Sequence, residues 1–215
     1  MRPVSSPSTP PTSSEPPDIL GRLTDLSREL AGAYRPATVI DRLAGALNEL
    51  LAPDRLTIVA QDVETNRLQI AYHRGGDQPH IEDPLLQLPL RRGPTVFSHH
   101  VPEEAARHGI GVTQDVAAWM GAPIVAVGRS IGVVALGSGR ADAYGPHDLA
   151  VLTAVVAQAA IALENARLLQ LLSSGKRQWE STVDAINQAI CIIDDQGVVR
   201  RANRVFADLV QVQVT

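Results

Sequence analysis

Trp119-Met120-Gly121-Ala122-Pro123-Ile124-Val125-Ala126-Val127-Gly128-Arg129-Ser130-Ile131-Gly132-Val133-Val134-Ala135-Leu136 is the stretch that decides how this chain folds. Two apolar runs, Ala122–Val127 and Ile131–Leu136, flank the link Gly128-Arg129-Ser130. Each run is apolar at nearly every position, the pattern of a strand covered on both faces. A short polar link containing glycine joins such runs as a hairpin. The stretch is therefore expected to form two central, buried strands of an antiparallel sheet.

Upstream, Leu20, Leu23, Leu26, Leu30 and Ala33 recur at helical spacing behind Asp18, a good helix cap. Pro36 opens a second helical pattern, Val39, Ile40, Leu43, Leu47, Leu50 and Leu51, which breaks at Pro53. Leu56–Ala60 and Leu68–Tyr72, separated by Glu64-Thr65-Asn66, predict another hairpin. Leu85–Leu90 is expected to be a further strand, closed by Arg91-Arg92-Gly93-Pro94. Helical turns are expected around Thr95–Val101 and Glu103–His108, before a loop broken at Gly109 and Gly111.

Downstream, Pro146 starts a helix that meets no breaker until about Leu172. Leu149, Leu152, Val156, Ala159, Leu163 and Ala166 recur at alternating spacings of three and four, a coiled-coil seam. One face of this helix must cover the sheet; Ala157, Ala160 and Ile161 are the rival candidates for that role. The expectation is that Leu149, Leu152, Val156 and Leu163 pair with a second copy in a parallel homodimer. Ser173-Ser174-Gly175 should weaken the helix, and Lys176–Gln188 should resume it as a linker over 173–188. Residues 189–193 and 198–201 read as strands around the turn Asp194-Asp195-Gln196-Gly197, with a helix beginning near Asn203.

Composition excludes several classes. The 215 residues carry 19 basic and 23 acidic side chains, a net charge of −4, with no dense basic run, so neither nucleic acid nor an anionic membrane is an expected partner. The single cysteine, Cys191, leaves no disulfide framework and no Cys-based zinc site, and suits a reducing, cytoplasmic compartment. Asp148, Gln158, Glu164, Asn165 and Arg167 interrupt the longest apolar stretch, 149–172, so no membrane span is expected. Residues 1–17, with six prolines among Ser and Thr, are expected to be a disordered leader.

The hairpin over 119–136 closely resembles the signature hairpin of GAF domains, the small sensory modules of bacterial signalling proteins. Tyr144-Gly145-Pro146-His147-Asp148-Leu149 and the run from Ala157 to Leu168 resemble the closing helix of that family. The resemblance implies an α+β sandwich over 18–172, with a central antiparallel sheet, helices on both faces and a long C-terminal linker helix. Trp179–Ile186 and Ala189–Phe206 resemble the first third of a PAS domain, so 189–215 is expected to be an incomplete PAS-like fragment. Together these imply a sensory module of a signal-transduction protein of the two-component type. A sensor histidine kinase is the expected parent, with a diguanylate cyclase or a non-liganded dimerisation domain as alternatives.

GAF domains include ligand binders and a few enzymes, and the resemblance lets each branch be checked. Residues 1–190 hold no cysteine, which removes both methionine-sulfoxide-reducing thiol chemistry and covalent bilin attachment in the domain. The Asn-Lys…Phe…Asp-Glu pattern of cyclic-nucleotide binders is not visible, since the only lysine is Lys176. His99, His100 and His108 fall in the segment that forms the pocket lid in the family, but their spacing is no ligand code, so neither haem nor another metal is expected. Phe97 and Trp119, with His99 and His100, are the candidate pocket residues; with 3% aromatics, a pocket should be mostly aliphatic. No catalytic constellation, nucleophile elbow or phosphate loop is present in the sequence, so the chain itself is expected to be no enzyme, and no cofactor is named.

Overall fold

The computed structural model describes residues 19–112 and 115–210. The expected leader over 1–17 and the Asp18 cap lie outside the described residues, as do 211–215. Two helices come first, α1 (Ile19–Ala31) and α2 (Pro36–Leu51), with Pro36 in the first turn of α2, where its missing N–H costs nothing. Five strands follow, β1 (Arg55–Gln61), β2 (Leu68–Arg74), β3 (Thr95–Phe97), β4 (Ala118–Ala126) and β5 (Arg129–Ser138), interrupted by α3 (Pro84–Arg92) and α4 (Val101–Ala106). They form one sheet in the order β2-β1-β5-β4-β3, with every neighbouring pair antiparallel.

The deciding hairpin is β4–β5. Its connection is two residues, Val127 (φ 49°) and Gly128 (φ 75°), between the paired Ala126 and Arg129. Both φ values are positive, as a turn matching strand twist requires. In β5, a Cβ at Gly132 would lie 2.2 Å from the Val59 carbonyl oxygen, so only glycine lets β1 and β5 approach there. β2 carries a bulge: Ile58 pairs with Tyr72 and Val59 with Ile70, leaving Ala71 as the extra residue.

Each sheet face has its own core. On one, Leu56, Ile58, Met120, Ile124, Val134 and Leu136 meet α1, α2 and α5 (Pro146–Asp184). On the other, Val59, Trp119, Val133 and Ala135 meet α3 and α4. The expected α+β sandwich is therefore the observed one.

Three local expectations need correction. Leu85–Leu90 is not a strand but most of α3. Asp83 caps that helix, its carboxylate accepting from the Leu85 N–H at 2.9 Å, and Pro84 occupies the first turn. A six-residue apolar run fits strand or helix equally; the Asp-Pro start decides. Thr95–Phe97 is not helical but β3, paired to β4 from Gly121 to Trp119. Finally, α5 passes Ser173-Ser174-Gly175 unbroken, 39 residues or about 58 Å of helix.

The helical phase of α5 is corrected as well. Leu152, Val156 and Leu163 are buried inside this chain and Leu149 packs partly against the same core, so this seam has its partner within the molecule. Of the rival set, Ala160 faces inward while Ala157 and Ile161 face solvent. Within Pro146–Gly175 an 18-residue window reaches a mean hydropathy of 1.7, apolar enough to cross a membrane by composition. Half of that window is buried in the fold, as the core helix of a folded domain requires.

Beyond α5 lie a two-stranded sheet, β6 (Cys191–Ile193) with β7 (Val199–Ala202), and α6 (Arg204–Val210). Asn203 organises this tail. Its Oδ1 accepts from the Ile190 N–H at 2.9 Å and the Phe206 N–H at 3.0 Å, and its Nδ2 donates to the Gln188 carbonyl at 2.7 Å. Ile192, Ile193, Val198 and Val199 of the hairpin are exposed.

Candidate functional site

The four residues singled out for a pocket under α3 and α4 separate into two groups. Phe97 and Trp119 meet, ring centroids 5.7 Å apart, and both are almost wholly buried among Leu85, Leu86, Val101 and Val133. The indole of Trp119 lies over Gly121, where a Cβ would sit 2.6 Å from the ring and 2.7 Å from Pro89. That position is glycine because the ring and α3 close down on the strand, and the space between sheet and α3 is filled by side chains.

His99 and His100 do not join the two aromatics. Both are exposed, and His99 Nδ1 pairs with the Asp142 carboxylate on the loop before α5. The same two segments are tied again by Ser98, whose hydroxyl donates to the Tyr144 carbonyl at 2.8 Å. His108 stacks on Phe97 at 5.6 Å and lies 2.7 Å from an Arg92 guanidinium nitrogen. Among the described residues no three His, Cys, Asp or Glu side chains cluster as metal ligands would.

Open space is found on the opposite face. A cavity of about 640 Å³ sits between the start of α2, the β1–β2 hairpin and the middle of α5. Its apolar wall is Ile40, Ala60, Ala71, Ile131 and Leu163; its polar wall includes Arg35, Asp62, Gln69, Arg167 and Gln170. Arg35 holds the position before α2 that Ser or Asp usually takes, and no side chain caps that helix. Asp62 closes the β1–β2 turn, accepting from the Thr65 N–H and hydroxyl, each at 2.8 Å, and from Gln69 at 3.2 Å. These hydrogen bonds, the Thr65 N–H foremost, hold the Asp62 carboxyl below the usual range.

Arg167 is the joint between helix and sheet. It donates to the Asn66 side chain at 3.1 Å and lies 3.6 Å from Glu164, which also faces Arg129 of β5 at 3.7 Å. The Glu164 and Arg167 side chains are only 13% and 18% exposed. Even so, Arg167 Nε and Glu164 Oε2 are buried without a hydrogen-bond partner. No sequence motif announces this cavity, since its walls come from positions 35–41, 60–71, 131 and 163–170. The one local signal is an arginine directly before Pro36.

A five-stranded antiparallel sheet between two helical layers, one of them completed by a long helix that follows the last strand of the sheet, is the α+β fold of this chain. The GAF domain family matches residues 17–164, and the chain belongs to that family. No curated protein matches it in sequence. Among solved structures, it is similar to the GAF domain of a phosphoenolpyruvate-protein phosphotransferase from Acinetobacter (13% identity, 72% of this chain and 97% of that one, TM-score 0.57). It is also similar to the free methionine-R-sulfoxide reductase of Neisseria meningitidis, solved with its substrate (16% identity, 70% and 90% covered, TM-score 0.56). A third likeness is the GAF domain of a protein assigned as a sensor histidine kinase from Pseudomonas syringae pv. tomato (21% identity, 73% and 92% covered, TM-score 0.51). At these identities the likeness is one of fold.

Proposed function

We propose that this chain is the sensory GAF module of a bacterial signal-transduction protein, a cytoplasmic sensor histidine kinase, and that α5 carries its state to a downstream output domain. The observation that carries the reading is the division of α5 into two faces. One face is core, through Leu152, Val156 and Leu163. Another presents Ile161, Asn165, Leu168 and Leu172 to solvent, with Ile161 61% and Leu172 72% exposed. Those four recur at spacings of four, three and four, the seam of a parallel coiled coil, and a polar Asn within such a seam fixes register.

The occupant of this stripe is a second copy of the chain. Two parallel copies of α5 would bring both C-terminal ends together, as a paired output domain needs. The tail over 189–210 is the start of a PAS domain in this reading. Its β-hairpin, its Asn203-capped helix and its uncovered apolar face support that assignment. The module itself is non-catalytic, which the placement of the sole cysteine at 191, outside the family match, favours.

The test is a pair of variants. Ile161→Glu with Leu168→Glu should give a folded monomer by light scattering, with an unchanged circular dichroism spectrum and a melting temperature that no longer depends on protein concentration. Leu152→Glu should unfold the domain, since it places an unpaired charge in the core. A double variant that remains dimeric would overturn the reading.

A further inference from the structure

We propose that α4 is a proton-sensitive strap whose two ends answer acid in opposite senses. Protonation of His99 tightens its entry on the loop before α5, and protonation of His108 releases its exit from α3. The strap is a property of the domain itself and stands whether or not α5 pairs with a second copy. α4 has six residues, too few to be stable alone, and its buried residues are Val101 and Ala105. Its position therefore rests on what holds the residues just outside its ends.

At the entry, Ser98 and His99 are joined to the approach to α5 by three contacts. The Asp142 N–H donates to the Ser98 carbonyl at 2.8 Å, the Ser98 hydroxyl donates to the Tyr144 carbonyl at 2.8 Å, and His99 Nδ1 meets the Asp142 carboxylate. The first two do not titrate, while the third becomes an ion pair when the ring is charged. Glu104 adds to the negative charge there, accepting from the His99 N–H at 3.4 Å. The clasp is held at a backbone cost, since His100 (φ 43°) and Asp142 (φ 59°) are both left-handed.

At the exit the sign is reversed. His108 Nδ1 lies 2.7 Å from an Arg92 guanidinium nitrogen while its ring stacks on Phe97. A guanidinium only donates, so Nδ1 accepts, and the ring in this contact is neutral with its proton on Nε2. A second proton would set N–H against N–H beside a permanent cation and remove the bond. The other charged or titratable side chains on the surrounding elements are Arg91 of α3, Glu103 of α4, His100 and Arg107 at its ends, and Arg140, His147 and Asp148 around the start of α5; β3 and β4 carry none. Carboxylates titrate at about pH 4 and arginine not at all, so between about pH 8 and 5.5 the histidine rings carry the change. The two effects offset in total stability but differ in place: acid moves the hold on α4 from α3 to the root of α5.

Amide hydrogen exchange of the full chain at about pH 7.5 and about pH 5.5, expressed as protection factors, tests the proposal. Acid should raise the protection of the Asp142 N–H and lower that of Gly109 and Ile110, whose N–H groups close the end of α4 on Ala106 and Ala105. Each change should be about two- to fivefold, the size of one exposed charge pair, and should shrink in about 0.5 M salt. His99→Gln should remove the gain at the entry and leave the exit response intact. His108→Asn, which offers Arg92 an acceptor that takes no proton, should keep Gly109 and Ile110 protected at both pH values. Arg92→Ala should leave them poorly protected at both. His99, His108 and Arg92 are all exposed, so the fold survives each change. No response to acid, a response at one end alone, changes of the same sign at both ends, or a response that survives in His99→Gln and His108→Asn would each overturn the strap.

Discussion

Among the described residues, Tyr144 stands at the one place in the first core where a hydroxyl is enclosed without an answer. Its side chain is buried on the approach to α5 and its Oη has no hydrogen-bond partner. Burial pushes the phenol far above its usual pKa, and the nearby Asp54 charge adds to the effect. The hydroxyl is thus neutral at every working pH and contributes an unmet desolvation cost. Tyr144→Phe keeps the ring and removes that cost, so it should stabilise the domain by about 1 kcal/mol. A urea midpoint that falls instead would mean that the hydroxyl has a partner after folding. Phe97 and Trp119 read in the sequence as pocket candidates, and the packing of Leu85, Leu86 and Val133 around both rings is not legible there. Their neighbours His99 and His100 are not recognisable, since nothing local in Ser-His-His says that Asp142 will come back across the sheet to meet one of them.

One side chain, Asn203, ties both ends of the tail together, and that makes the tail testable as a unit. Asn203→Ala leaves the Ile190 and Phe206 N–H groups without acceptors, each costing about 1–3 kcal/mol. Amide exchange across 186–206 should then accelerate strongly while β4, β5 and the first half of α5 keep their protection. Equal acceleration in the sheet would show that tail and body unfold together. α1, α2, both hairpins of the sheet, α5 and the tail strands were legible in the sequence, each marked by a long helical period or by turn residues between apolar runs. Those that were not are short. Leu85–Leu90 is apolar along its whole run and needed Asp83-Pro84 to be weighed above it. Thr95–Phe97 is three residues, below any period. The phase of α5 was ambiguous for another reason, since Leu152-Val156-Leu163 and Ile161-Asn165-Leu168-Leu172 both obey three-four spacing on one helix. Burial separates them, and burial depends on residues far away in the chain.

Acid should loosen the whole molecule at three corners at once. Asp54 accepts from the Gly139 N–H and the Ser138 hydroxyl, Asp62 from Thr65, and Asp194 from the Val198 N–H. These bonds lower all three carboxyl pKa values below the usual 3.8. The unfolded chain therefore binds more protons than the folded one just below that value. Stability is fully present above about pH 4 and is lost as pH falls through the depressed folded values. Denaturation midpoints should be level from pH 7 to 5 and drop below 4, with a shallower drop in Asp62→Asn; an equal drop in that variant would remove Asp62 from the account. The cavity was invisible at the level of motif for the same reason the Asp54 corner was, since each joins residues remote in sequence.

The sheet order carries one more consequence, for what two copies can and cannot do with each other. A sheet open at both margins invites another chain to add a strand. Here one margin is β2, bent by the extra Ala71, and the other is β3, only three residues long. Past the end of β3, the flank of β4 continues into Pro123, which has no N–H to offer. Neither margin offers a long, regular template for pairing, which disfavours growth of this sheet by strand addition when copies are crowded.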